Sequence, residues 1–181
     1  MKTKVILLTA IIGISLIFSS CKKSDNDPLL PFSTRDARIT NTWKLKSLSK
    51  SETTINQLGH TDSKLFVFDG TEMSERHTDF FGTTTEDSYT YSDSLVISKA
   101  NIYTQTIVKS GDTSKMNSYW FWFDSDKNKI GIIFEAGNTY LIQRLSKDEL
   151  ILESAEYSEI SYENGETISY TYNEMLTYNA Q

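Results

Sequence analysis

From Trp43 onward, apolar and polar residues alternate with a period of two over much of the chain. Trp43 and Leu45 alternate with Thr42, Lys44 and Lys46, Phe66 and Phe68 lead into Asp69-Gly70, and Ile168, Tyr170 and Tyr172 alternate with Ser169 and Thr171. That period puts successive side chains on opposite faces of a strand. Turn-forming residues punctuate the runs at Asp69-Gly70, Gly111-Asp112, Asp126 to Asn128, Gly137-Asn138 and Asn164-Gly165. The pattern predicts strands over 39–49, 63–69, 71–78, 89–98, 101–109, 116–124, 129–135 with 138–145, and 149–161 with 167–178, ten runs grouped into about eight strands. A short helical turn is expected at Arg35 to Thr40.

Parity also sets the register of the last hairpin. A two-residue Asn164-Gly165 loop would place Ile160 across from Ser169 and mix apolar and polar faces. A three-residue loop, Glu163-Asn164-Gly165, with Gly165 left-handed in a bulge, sets Ile160 opposite Ile168 and keeps Tyr162, Tyr170 and Tyr172 on that face.

Composition agrees with an all-β domain. No proline follows Pro31, and all ten tyrosines lie between Tyr89 and Tyr178. A long antiparallel meander without covering helices leaves exposed edges unless it closes on itself, so closure is expected.

The first 33 residues follow other rules. Lys2 and Lys4 flank a run from Val5 to Phe18 that is apolar except for Thr9 and Ser15, too short for a permanent membrane span and suited to a secretory signal. Ile17-Phe18-Ser19-Ser20-Cys21 resembles the lipobox of bacterial lipoproteins, with Phe18 where leucine is usual. The resemblance implies that residues 1–20 are a signal peptide and that Cys21, the only cysteine, is the lipid-attachment residue. An ordinary cleaved signal with a stray cysteine is the competing reading; it leaves a lone thiol unexplained in an exported protein. Residues 21–33 carry Lys22, Lys23, Asp25, Asp27, Pro28 and Pro31 and read as a solvated tether. The domain proper is expected at 34–181. An outer-membrane location through the lipid, on the periplasmic or cell-surface face, follows from the resemblance.

Within that domain, Thr42-Trp43-Lys44-Leu45, Phe66-Val67-Phe68-Asp69-Gly70-Thr71 and Leu145-Ser146-Lys147-Asp148-Glu149-Leu150-Ile151-Leu152 resemble the small lipocalin-like domains of Gram-negative lipoproteins. Asn41-Thr42-Trp43 stands where lipocalins have Gly-x-Trp, and the last predicted strand holds no arginine to stack on the tryptophan. The resemblance implies an antiparallel up-and-down barrel of about eight strands, filled by side chains or holding one small apolar or amphipathic ligand. The competing class is an interaction module with a filled barrel that docks on a protein or glycan.

Charge and chemistry narrow these options. Loss of residues 1–20 would leave 16 Lys+Arg against 24 Asp+Glu, a net charge of −8. That balance argues against nucleic acid as a partner. His60 and His77 show no metal-ligand spacing, and no Gly-x-Ser-x-Gly or phosphate-cradling glycine loop exists. The expectation is a non-enzymatic protein without cofactor or metal. His60 with Asp62, and His77 with Asp79, are expected as local polar pairs. Glu149, Glu153, Glu156 and Glu159 are expected on a solvated outer face opposite Leu150, Leu152 and Ala155. Asp124, Asp126 and Asn128 with Glu135 have the spacing of an EF-hand loop, but Lys129 replaces the required glycine and the flanks are strand-like, so an acidic turn is expected.

The run Tyr119-Trp120-Phe121-Trp122-Phe123 puts two tryptophans on one face and three aromatics on the other. Core packing and a ligand or partner platform are both open for it. Trp120 and Trp122, with Tyr170 and Tyr172, are the residues expected to meet a ligand.

Overall fold

A computed structural model describes residues 34–123, 130–135, 139–161 and 167–181. The signal segment, Cys21, the tether, the EF-hand-like turn and the Glu163-Asn164-Gly165 loop lie outside the described residues.

The first element is a single helical turn, α1 (Arg35–Ile39). Thr34 caps it, its hydroxyl accepting from the Ala37 amide at 3.2 Å. Asp36 in the first turn and Arg38 in the last suit the helix dipole. Ten strands follow: β1 (Thr42–Ile55), β2 (Thr61–Phe68), β3 (Glu72–Thr78), β4 (Thr84–Ile97), β5 (Ile102–Lys109), β6 (Asp112–Trp122), β7 (Gly131–Phe134), β8 (Thr139–Leu145), β9 (Glu149–Ser161) and β10 (Thr167–Ala180). Each pairs antiparallel with its sequence neighbour, and β10 returns to β1 to close an up-and-down barrel. The strand count is therefore ten, not about eight. The two hairpins that the grouping joined, 129–145 and 149–178, each turn fully, and every arm is a separate stave.

The wall differs from end to end. At one end β1 pairs directly with β4, Trp43 lying opposite Leu95, so β2 and β3 take no part there. Further along, β1 leaves β4 and pairs with β2 from Leu48 to Ile55, and the β2–β3 hairpin widens the circumference. β7 and β8 do the reverse. They pair with β6 only at Trp120 to Trp122 and with β9 only up to Glu153, so eight strands stand at either end. Beyond that level β6 and β9 are paired on one side among the described residues, and this open end is the wide one, the fully paired end the narrow one.

The narrow end holds the core. Trp43, Ile132, Leu145, Leu150 and Leu152 are fully buried, and Phe68, Leu95, Ile97, Tyr103 and Tyr178 nearly so. Each fully buried aliphatic side chain contributes about 1.5–3 kcal/mol relative to exposure. Helix α1 closes this end: Ile39 is fully buried, its carbonyl accepts from the Trp43 indole nitrogen at 2.9 Å, and buried Arg38 donates to the Leu145 carbonyl at 2.6 Å.

A bulge between Leu45 and Ser47 shifts the register of β1 against β10. Below it Trp43 and Leu45 face inward; above it the inward set becomes Leu48, Lys50, Glu52 and Thr54, opposite Leu176, Glu174, Tyr172 and Tyr170. On the last hairpin Ile160 stands opposite Ile168, the register that parity requires.

Candidate functional site

Away from the core, inward-facing positions turn polar and become partly exposed. Lys50 and Glu52 face the barrel interior yet remain 28% and 26% exposed, and positions of β4 and β6 near this end are exposed on both faces. Water therefore reaches inward-facing side chains at the wide end.

The strands deliver a defined set of groups to that space. Along β10, Tyr170, Tyr172, Glu174 and Leu176 share the inward parity. The Glu174 carboxylate accepts from the hydroxyls of Tyr172 and Tyr140, each at 2.6 Å. Along β4 the inward series is Tyr89, Tyr91, Asp93 and Leu95. Asp93 is only 3% exposed; one carboxylate oxygen accepts from Gln105 at 2.8 Å and from the Tyr178 hydroxyl at 3.2 Å, and the other has no hydrogen-bond partner. Burial pushes the Asp93 carboxyl up to about 6, against the two hydrogen bonds that lower it, and the charge of Glu174 adds to the rise. Burial likewise raises the Tyr91, Tyr172 and Tyr178 hydroxyls, with Asp93 or Glu174 adding to each, so all three stay protonated donors.

Lysines complete the wall. The Lys50 ammonium lies 5.2 Å from the Phe66 ring centre and 5.4 Å from that of Tyr172, and pairs with Glu52 at 2.7 Å. Lys109 sits 4.0 Å over the Tyr89 ring. Asp62 pairs with His77 at 2.9 Å across β2 and β3. The sequence pairing of His77 with Asp79 is thus corrected: Asp79 caps its own turn by accepting from the Phe81 and Thr83 amides, and the cross-strand register brings Asp62 to His77.

The residues singled out from sequence fall in two places. Trp120 is 3% exposed in the core and donates to the Ser98 carbonyl at 3.1 Å. Trp122 packs on it edge-to-face at 5.4 Å and donates to Asp36. Tyr170 and Tyr172 line the wide end. The two groups are joined through Phe134, which lies opposite Trp120 and packs on Tyr140, the second donor to Glu174. The other aromatics of the β6 run, Tyr119, Phe121 and Phe123, face outward and are about half exposed. Cys21 lies outside the described residues.

Of the β9 carboxylates, Glu149, Glu153 and Glu159 face outward as expected, but Glu156 lies opposite inward-facing Tyr172, and Ala155 takes the outer position. Counting by two from Leu152 requires this arrangement. Glu135, the last position of the EF-hand-like spacing, accepts from the Ser118 hydroxyl at 2.9 Å.

Sequence reasoning missed Glu174, Asp93 and Lys50. For the two acids a signal existed: each is a carboxylate at an inward parity position between tyrosine and leucine. Lys50 is hidden by the β1 bulge.

Two open grooves lie along the wall, one of about 470 Å³ lined by Leu65, Val67, Arg76 and Glu86 with Glu75 and Asp87, the other of about 130 Å³ lined by Ser49, Glu153 and Met175 with Glu174. Among the described residues no three His, Cys, Asp or Glu side chains converge as metal ligands, and no helix is long and apolar enough to cross a membrane. No family model matches the chain, and no curated protein or solved structure matches it.

Proposed function

We propose that this protein is a lipoprotein, anchored in the outer membrane through lipid on Cys21, whose lipocalin-like barrel binds a small amphipathic molecule at its wide end without transforming it. One observation carries the reading: the packed narrow end passes into an end whose inward side chains are both aromatic and charged and in part reached by water, Phe66, Tyr91, Tyr170 and Tyr172 beside Lys50, Glu52 and Glu174. An apolar body would lie against the rings and a polar head against the charged groups, the combination typical of small-molecule sites. Native mass spectrometry of the full-length protein from its source tests it. A co-purifying small molecule, lost on Tyr172→Ala, is the expected result; a ligand-free spectrum, with no amphipathic compound bound on addition, rejects it. Metabolic labelling with a palmitate analogue, expected to vanish in Cys21→Ser, tests the anchor separately.

A second reading rests on a different face. Tyr119, Phe121 and Phe123 form an outward aromatic row beside exposed Ile102, which lies opposite Tyr119. Such a row on a barrel with a filled narrow end suits an interaction module that docks on protein or glycan. Loss of partner capture on Phe121→Ser, with small-molecule binding intact, would favour it over the first.

A further inference from the structure

The sign of the charge inside the barrel narrows the ligand class, on the reading that the wide end is a binding site. By register, eight carboxylates occupy inward positions among the described residues: Asp62, Glu75, Asp87 and Asp112 around the rim side of β2, β3, β4 and β6, and Glu52, Asp93, Glu156 and Glu174 on β1, β4, β9 and β10. Three lysines share those faces, Lys50, Lys64 and Lys109, so the inward wall carries a formal charge of −5, eight acids against three lysines. A concave surface of one sign with low-dielectric walls concentrates counter-ions.

Among the described residues Glu52 forms an ion pair with Lys50, and Asp62 is bonded to His77. Glu174 faces Lys50 across the β1–β10 pair, but its carboxylate is bonded to the two tyrosine hydroxyls while the Lys50 ammonium goes to Glu52. Asp93 is bonded to Gln105 and Tyr178, and its second oxygen is buried without a hydrogen-bond partner. A buried carboxylate without an opposite charge is costly, and an arriving cation removes that cost. The rings beside them already accept ammonium groups: Lys50 lies over Phe66 and Tyr172, and Lys109 over Tyr89.

We infer that the wide end of the barrel takes an amphipathic organic cation, a primary or quaternary alkylammonium whose charged head docks at Glu174 above Asp93 and whose apolar tail lies against Phe66, Tyr91 and Tyr172. Anionic amphiphiles are excluded by the same field.

Calorimetric titration of full-length protein in zwitterionic nanodiscs tests this with matched six-carbon probes: hexylammonium, hexyltrimethylammonium, hexanol and hexanoate. The two cations are expected to bind saturably and at least about tenfold more tightly than hexanol, with hexanoate silent. Glu174→Gln and Asp93→Asn should each weaken the cations by about tenfold and leave hexanol unchanged. Should either core variant fail to fold, Glu75→Gln with Asp87→Asn at the exposed rim is expected to weaken the cations by about threefold through the field alone. Hexanol binding as well as the cations, or cation binding untouched by these substitutions, overturns the inference while the amphiphile site stands. Silence of all four probes overturns both.

Discussion

The indole nitrogen of Trp122 donates to the carboxylate of Asp36 at 2.8 Å, across 86 residues of chain. The bond ties the single turn of α1 to the end of β6, so the helix that closes the narrow end is held by its own backbone, by the buried Arg38 contact and by this side-chain bond. Trp122→Phe keeps the ring and removes the donor. A loss of about 0.5–1 kcal/mol in urea unfolding is expected, with faster amide exchange at Arg38 and Thr40, whose N–H groups donate to Thr34 and Asp36. Asp36→Ala should lose at least as much, because it also removes the acid that suits the helix dipole, and the double variant should cost little more than Asp36→Ala alone.

Gly131 sits where β7 meets β8 and leaves no room for a side chain. A Cβ there would stand 2.7 Å from the Tyr140 carbonyl oxygen and 3.0 Å from the Phe123 Cβ. Because the nearest atom is backbone, relief requires β7 and β8 to separate. Gly131→Ala is expected to destabilise by about 1–3 kcal/mol. Gly111, at φ +92° with open space around it, should cost about 1 kcal/mol on the same change, through backbone conformation alone. Chemical denaturation of the two variants checks the difference in cause: only Gly131→Ala should also shift the aromatic near-ultraviolet signal of Tyr140 and its neighbours.

Much of this architecture is legible in the residues. Every one of the ten runs bounded by turn residues is a strand, and the Ile160–Ile168 register follows from parity because one slip would turn Tyr170 and Tyr172 outward. The strand count was not legible in the grouping, because a hairpin whose arms carry the same pattern reads equally well as one long element or two. The bulge after Leu45 left no mark: Lys46 and Ser47 are ordinary strand residues, yet they shift the inward set from odd to even positions and bring Lys50 and Glu52 into the lumen. Glu174 and Asp93 lay in plain view on apolar faces, but an isolated acid among tyrosines reads as surface until the facing strand is known.

An inward position on β9 and an outward one on β6 should answer differently to truncation. Leu152, fully buried at the narrow end, is expected to lose about 2–5 kcal/mol on change to alanine, since the barrel wall limits collapse into the space left. Phe121→Ser on the outward row, 46% exposed, should change stability by about 0.5 kcal/mol at most. Urea midpoints at equal slope compare them directly. A large loss in Phe121→Ser would mean that the outward row is covered in the folded protein.

Asp93 should make the fold more stable in mild acid than at neutrality. Its carboxyl titrates at about 6 when folded and near the ordinary 3.8 when unfolded, so between these values the folded state holds a proton that the unfolded state has released. Stability from this group is complete below about pH 3.8, falls as pH rises through 6, and at pH 7 is lower by about 3 kcal/mol. Glu174, Tyr91 and Tyr178 face the same carboxylate and remain in place when it is altered, so Asp93→Asn isolates the effect. The variant keeps an acceptor for Gln105 and Tyr178 and carries no charge. Unfolding free energies measured from pH 4.5 to 7.5 should fall with rising pH in the unaltered protein and stay nearly flat in Asp93→Asn, with the variant the more stable of the two at pH 7.5. Parallel curves would place the acid sensitivity elsewhere and leave Asp93 ionised in the fold. A bound alkylammonium should flatten the curve of the unaltered protein in the same way, because it supplies the opposite charge that protonation otherwise makes unnecessary.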